Sequence, residues 1–375
     1  MNILLVAMGL DIGGAETHVV SLAKQLKNKG HHPVVISSGG IYEQELIIEQ
    51  IPHYRAKLAE KGLKATTDSI KVMKSVIRSD KIDLIHAHGR IPAFIGKIIS
   101  IMTNTPFMTT AHAKFDDSGI YKLISFWGKE TISVSEDIKD HLVNNFGVNE
   151  NRITIIKNGI DTEKFNSKAD TSKLEKEIAT TKESIKIVYI SRLSGALSDV
   201  AKKVIDAVNK IRQKGIAIDL VVVGDGDDFL SVKDYSKKIS TDSGETFINV
   251  LGKRTDIAEI LAFGDIAVAV SRSALEAMSC EKAVILVGGE GFMGLLTEEN
   301  LSIAMANNFT GRTVKEEITA EKIAYEIEKV IGKDCSKKRA ELGKLGRQVV
   351  IDHFSIDSMT DETIKIYKKL INGRK

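Results

Sequence analysis

Cysteine is scarce in this chain of 375 residues: Cys280 and Cys335 stand alone, without metal-ligand spacing. Two isolated thiols argue against a disulfide-stapled scaffold and fit a reducing, cytoplasmic setting. Long apolar runs are lacking too. No stretch approaches the roughly 20 residues of a membrane-spanning helix, so an integral membrane protein is not expected. The opening MNILLVAMGL has neither a basic leader nor a small-residue cleavage site, and reads as a buried first strand. Charge of one sign is missing as well: 53 Lys and Arg against 50 Asp and Glu leave +3, too little to argue for a nucleic-acid partner. Internal repeats and low-complexity tracts are absent from the sequence.

What is present is an ordinary globular composition, 43% hydrophobic and 27% charged, with enough chain for two domains. Short apolar runs alternate with amphipathic segments, the pattern of a parallel sheet covered by helices. Strands are expected over 3–7, 34–37, 84–87, 107–110, 131–134 and 153–156, with helices such as 16–29, 67–78 and 137–145 between them. The polar segment 166–184 reads as a linker. A second series follows, with strands at 186–190, 219–223, 247–251, 266–270 and 283–286, and helices near 199–214, 228–239, 256–262 and 273–280. From about 320 to 371 the sequence reads as helical. The expected architecture is α/β: two Rossmann-like, doubly wound domains, 1–165 and 185–350, facing across a cleft, with a terminal helix at 351–375 crossing back to the first. Open α/β sheets bind ligands beyond the carboxyl ends of their strands, so function is sought in those loops.

Several strand exits carry suitable chemistry. Gly13 and Gly14, in MGLDIGGAETH, precede a helix whose first amides suit an anion, although the spacing is neither GxGxxG nor a phosphate loop. A tight turn explains them equally well. Gly224 and Gly226, in VVVGDGDDF, could face a nucleotide; the neighbouring acids more commonly cap a helix than hold Mg²⁺. His88 and His112 end parallel strands of the first sheet, with Arg90 and Lys114 adding positive charge. Arg192, in YISRLSGAL, offers the forked donors that match a diphosphate. Glu276 has two readings: Ser273 to Glu276 fits a capping box, and an acid here could equally hold ribose hydroxyls.

Together, GGAETHVVSLAKQL, IDLIHAHG, ISVSEDIKDHL, IKNGIDTEKF, ISRL, VVGDGD, LGKRTDIAEILAFGDIAVAVS and ALEAMSCEKAVI resemble, in order and over nearly the whole chain, the retaining GT-B glycosyltransferases of family 4. The resemblance implies transfer of a sugar from a nucleotide diphosphate, a UDP-sugar by the family's habit, to a saccharide or lipid-linked saccharide, as in cell-surface polysaccharide synthesis. It implies donor contacts from Gly13, Gly14, Arg192, Gly224, Gly226 and Glu276, with His112 near the reacting sugar and His88 and Arg90 on the acceptor side. Asn158, Gly159 and Asp161 match a motif taken as structural.

The chain departs from the family pattern in three places. The first of two glutamates is missing, because Val268 stands eight positions before Glu276. Leu197 occupies the place of a lysine, for which Lys202 or Lys203 could substitute, and Glu290 is the candidate for the lost glutamate's contacts. Prolines usual at Lys157 and Ala283 are absent. No paired carboxylates of the glycosidase kind are found. The expected mechanism is electrostatic, without metal or cofactor. Segment 55–81, with eight Lys and Arg against three acids, and the apolar IPAFIGKIISIM nearby suggest a peripheral contact with an anionic inner-membrane face, or simply a solvated face and a core helix. A nucleotide-sugar 2-epimerase and a catalytically silent scaffold subunit are the competing readings.

Overall fold

The computed structural model describes residues 1–373 except 61, 179, 181, 182, 313, 315, 333 and 334. Its chain divides into two compact units: Met1–Gly159 with Ile356–Lys375, and Ile160–Ser355.

The first unit holds a seven-stranded parallel sheet: β1 (Asn2–Ala7), β2 (His32–Ser37), β3 (His53–Arg55), β4 (Leu84–His88), β5 (Phe107–Ala111), β6 (Thr131–Ser133) and β7 (Ile153–Ile155). Their spatial order, β3-β2-β1-β4-β5-β6-β7, reverses direction between β1 and β4. Around it run α1 (Gly14–Asn28), α2 (Glu43–Ile48), α3 (Leu63–Ser79), α4 (Arg90–Thr103), α5 (Gly119–Leu123) and α6 (Glu136–Phe146). Strand β1 is apolar at successive positions because both sheet faces are covered. Ile3 and Leu5 join one core with Val19, Leu22 and Leu26 of α1, while Leu4 and Val6 join another with Met73 and Ile99 from α3 and α4.

The second unit repeats the plan with β8 (Ile185–Ile190), β9 (Ile218–Val223), β10 (Ile248–Gly252), β11 (Ile266–Ala269), β12 (Ala283–Gly288) and β13 (Gly291–Leu295), in the order β10-β9-β8-β11-β12-β13. Here the reversal falls between β8 and β11. Its helices are α7 (Ser172–Glu177), α8 (Ala196–Gln213), α9 (Phe229–Ser243), α10 (Ile257–Phe263), α11 (Ser271–Ser279), α12 (Glu298–Ala306), α13 (Ala320–Glu328) and α14 (Cys335–His353). The last helix, α15 (Ile356–Asn372), belongs to the first unit. Its Ile356, Met359, Ile364 and Tyr367 sit in the core shared by β1 and α1. Asp357 and Asp361 pair with Lys29 at 3.1 and 2.8 Å.

Two readings of the sequence are corrected by these elements. The series of expected strands does not end at 283–286: Gly291–Leu295 forms β13, antiparallel to β12. Segment 166–184 lies within the second unit, where Leu174 of α7 and Ile178 are buried; residues 179, 181 and 182 lie outside the described residues.

Candidate active site

In the second unit the sequence-selected residues gather at the carboxyl ends of β8, β9, β11 and β12. The loops leaving β8 and β9 are laced together by main-chain bonds. Leu193 donates to Asp225 O at 3.0 Å, and Asp228 donates back to Leu193 O at 3.0 Å. Gly224 and Gly226 have φ of +152° and +154°, and a Cβ at Gly224 would stand 1.8 Å from Ser191 O. Only glycine fits that approach. Asp228 accepts from Gly195 N at 2.7 Å and from the Ser198 hydroxyl at 2.9 Å at the start of α8. Those two bonds, the hydroxyl first, hold its carboxyl below the usual range. One acid of the GDGDD run, Asp228, is therefore spent on the preceding helix α8, and α9 has no side-chain cap.

Arg192 is the first side chain beyond that lacing to face solvent. It is exposed and makes no ion pair among the described residues. Because β8 and β11 are neighbours across the strand-order reversal, the start of α11 lies beside this exit: the Ser273 hydroxyl reaches Ile190 O at 3.4 Å. Lys202 is half-buried one turn into α8, and its charge is felt at Asp228.

The capping-box reading of Glu276 is overturned. Helix α11 begins at Ser271, with Val270 at its N-cap, and the Ser273 hydroxyl bonds Val270 O at 2.8 Å. Glu276 turns to Arg272, whose Nε donates to Oε1 at 2.9 Å, and both side chains are only 9% exposed. Burial pushes the Glu276 carboxyl above its ordinary value; Arg272 and Lys164 oppose the shift without cancelling it. Glu290 sits at the turn between β12 and β13, exposed, with its carboxylate 2.6 Å from Arg312 Nε.

In the first unit the residues again gather at the reversal. Gly13 is the N-cap of α1, where a Cβ would stand 2.1 Å from a Glu16 carboxylate oxygen, whereas one at Gly14 would meet nothing within 4 Å. His88 closes β4 and His112 follows β5, with His88 Nδ1 and His112 Nε2 3.0 Å apart. Arg90 is held by several partners of its own unit. Its Nε donates to Ser125 Oγ at 3.0 Å, Nη2 bonds Asp116 O, and the guanidinium lies over Phe115 and Tyr121. Lys114 lies 3.6 Å from an Asp137 oxygen.

Two family models match this chain: Glycosyltransferase Family 4 over residues 12–164 and Glycosyl transferases group 1 over residues 170–349, together most of its length. The chain carries two glycosyltransferase domains, and its fold is GT-B. An uncharacterized glycosyltransferase of Methanocaldococcus jannaschii is 27% identical over 319 residues, covering 77% of this chain and 81% of its own. A glycosyltransferase of Rickettsia africae has the same fold, with TM-score 0.77, 23% identity and coverage of 99% and 98% of the two chains. So has Anabaena HepE in complex with UDP and glucose, with TM-score 0.76, 20% identity and coverage of 99% and 100%.

Three residues of this glycosyltransferase escaped the sequence reading. Arg272 is one, and its i, i+4 spacing to Glu276 on a helix could have revealed it. His18, in the second turn of α1, is another: its ring centroid lies 4.7 Å from that of His112 and 5.5 Å from that of His88. His86 is the third. It is fully buried, with Nδ1 2.7 Å from the Tyr367 hydroxyl and Nε2 2.7 Å from Thr110 Oγ1. Burial holds its pKa down to about 3, with the nearby His112 adding to the effect. A histidine bonded across 281 residues of sequence leaves no local signal.

Proposed function

We propose that this glycosyltransferase moves a hexosyl group from a UDP-sugar to a saccharide or lipid-linked saccharide, with retention at the anomeric carbon. The observation that carries this reading is Arg192: an exposed guanidinium, free of ion pairs among the described residues, at the strand-order reversal beside α11. Such a fork matches two diphosphate oxygens. Lys202 and main-chain amides add positive charge, so the departing diphosphate needs no metal of its own. Glu276 holds the donor ribose, and Gly224 and Gly226 let the nucleotide approach the main chain. Glu290 is assigned to the donor sugar. Gly13 and Gly14 open the α1 start toward phosphate, and His112 with His88 lines the sugar and acceptor side. The leaving phosphate oxygen takes the acceptor hydroxyl's proton on the face it vacates, which preserves configuration.

The bound UDP in the HepE structure supports the choice of nucleotide. Exposed Leu63, Ile101 and Leu123 of the first unit support a peripheral contact with the inner membrane face in the cytoplasm. No described helix is long and apolar enough to cross a bilayer. The test is a thermal-shift panel of nucleotide sugars, followed by product analysis with and without acceptor. A donor that stabilises the fold by mass action and is consumed only with acceptor is the expected result. Conversion of UDP-GlcNAc by protein alone would mean a 2-epimerase, and failure to bind any nucleotide would mean a silent subunit.

A further inference from the structure

We propose that His18, His88 and His112 form a three-histidine site for a divalent first-row transition ion of the zinc class. No metal was expected from the sequence, where the three lie far apart. The topology brings them together at the reversal between β1 and β4: one from the second turn of α1, one closing β4, one just beyond β5. Each offers a ring nitrogen, and these atoms all lie within 4.8 Å of one another. Nitrogens bound to one zinc ion at about 2.0–2.1 Å stand roughly 3.4 Å apart, so small ring rotations close the set.

Two further features favour an ion over a merely packed cluster. The Nε2 of His88 is buried without a hydrogen-bond partner among the described residues, an arrangement native interiors seldom tolerate unless it serves a purpose. His86 has both nitrogens engaged by Tyr367 and Thr110, so it stands outside the ligand set and backs the His88 ring at a centroid distance of 4.1 Å. Three imidazole nitrogens with no carboxylate among them suit Zn²⁺, Co²⁺ or Ni²⁺ and disfavour Mg²⁺ and Ca²⁺. Three protein ligands leave a position for water or a hydroxyl, and a coordinated His112 keeps its second ring nitrogen for another contact. The site shares His88 and His112 with the proposed sugar side, but it stands on the histidine geometry, and metal binding reads it without any sugar transfer.

The full chain, stripped with chelator and desalted, is titrated with ZnCl₂ and separately with CoCl₂. Expected are one retained equivalent of zinc per chain, the intense visible band of four- or five-coordinate Co²⁺, and a rise in melting temperature. His18→Gln and His88→Gln should each lower zinc affinity about tenfold or more, whereas His353→Gln, at an exposed histidine of the second unit, should not. If His88→Gln fails to fold, His18→Gln and the cobalt spectrum of the unaltered chain decide. No retained zinc, a pale octahedral cobalt spectrum, or equal affinity in the His18 and His353 variants would overturn the site.

Discussion

Glu276→Gln separates binding from packing at the residue on which the donor assignment leans most. The wild-type carboxylate accepts from Arg272 at 2.9 Å, with both side chains nearly buried. Glutamine keeps an acceptor for the still-charged Arg272 guanidinium, so a hydrogen bond of about 1.5–3 kcal/mol survives without the carboxylate's countercharge. Burial already disfavours the ionised form, so the neutral amide recovers part of that loss. The net change in stability should stay within about 1 kcal/mol. Glu276→Ala would instead leave Arg272 buried and uncompensated, at a cost of about 3–5 kcal/mol. Loss of a charge-assisted bond to ribose hydroxyls, by contrast, weakens Kd about tenfold or more. The sign of the pH effect follows: a carboxyl raised above 4.5 in the fold contributes stability at low pH that fades as pH climbs through its folded pKa, and the Gln variant should lack that slope. Calorimetric titration with UDP-sugar and thermal denaturation across pH read both quantities. An unchanged donor Kd in Glu276→Gln, beside a strongly destabilised Glu276→Ala, would mean that the acid serves only Arg272.

Arg192→Ala should leave the melting temperature near wild type, because the side chain is exposed, and lower kcat/KM at least about tenfold through lost diphosphate contacts. Gly224→Ala should destabilise by on the order of 3 kcal/mol in denaturant titration, since its Cβ meets Ser191 O. Gly14→Ala faces open space and should fold normally, so any activity it loses reports on ligand approach to α1. Tyr367→Phe strands the His86 Nδ1 and should cost about 1–3 kcal/mol in the same assay. His86, held neutral down to about 3 against an ordinary 6.5, makes stability fall as acid is added between those values, by up to about 1.4 kcal/mol per pH unit for the proton it takes up on unfolding.

The parallel sheets were legible because buried strands such as ILLVA and VVV are apolar at every position and their helices carry a single stripe. Strand β3 was not: His53–Arg55 sits at a sheet edge, half in solvent, with no apolar run to betray it. Strand β13 was hidden by its glycines, which weaken any local preference for strand. At the candidate site, the places of Arg192 and the paired glycines at strand exits were legible because each follows from its own loop. The true partner of Glu276 was missed because a capping box and a buried i, i+4 ion pair draw on the same short stretch. His18 passed as part of a helix face, and its meeting with His88 and His112 is decided by strand order alone.

Helix α15 has a consequence for how the molecule is made. The hydrophobic interior around Ile3, Leu22 and Met108 is completed by Met359 and Tyr367, which leave the ribosome only after the whole of the second unit. The second unit, one uninterrupted piece of chain from 160 to 355, can finish before the first does. A nascent or truncated product ending before α15 would carry an uncovered apolar face, and chaperones would be expected to hold that amino-terminal half until α15 emerges.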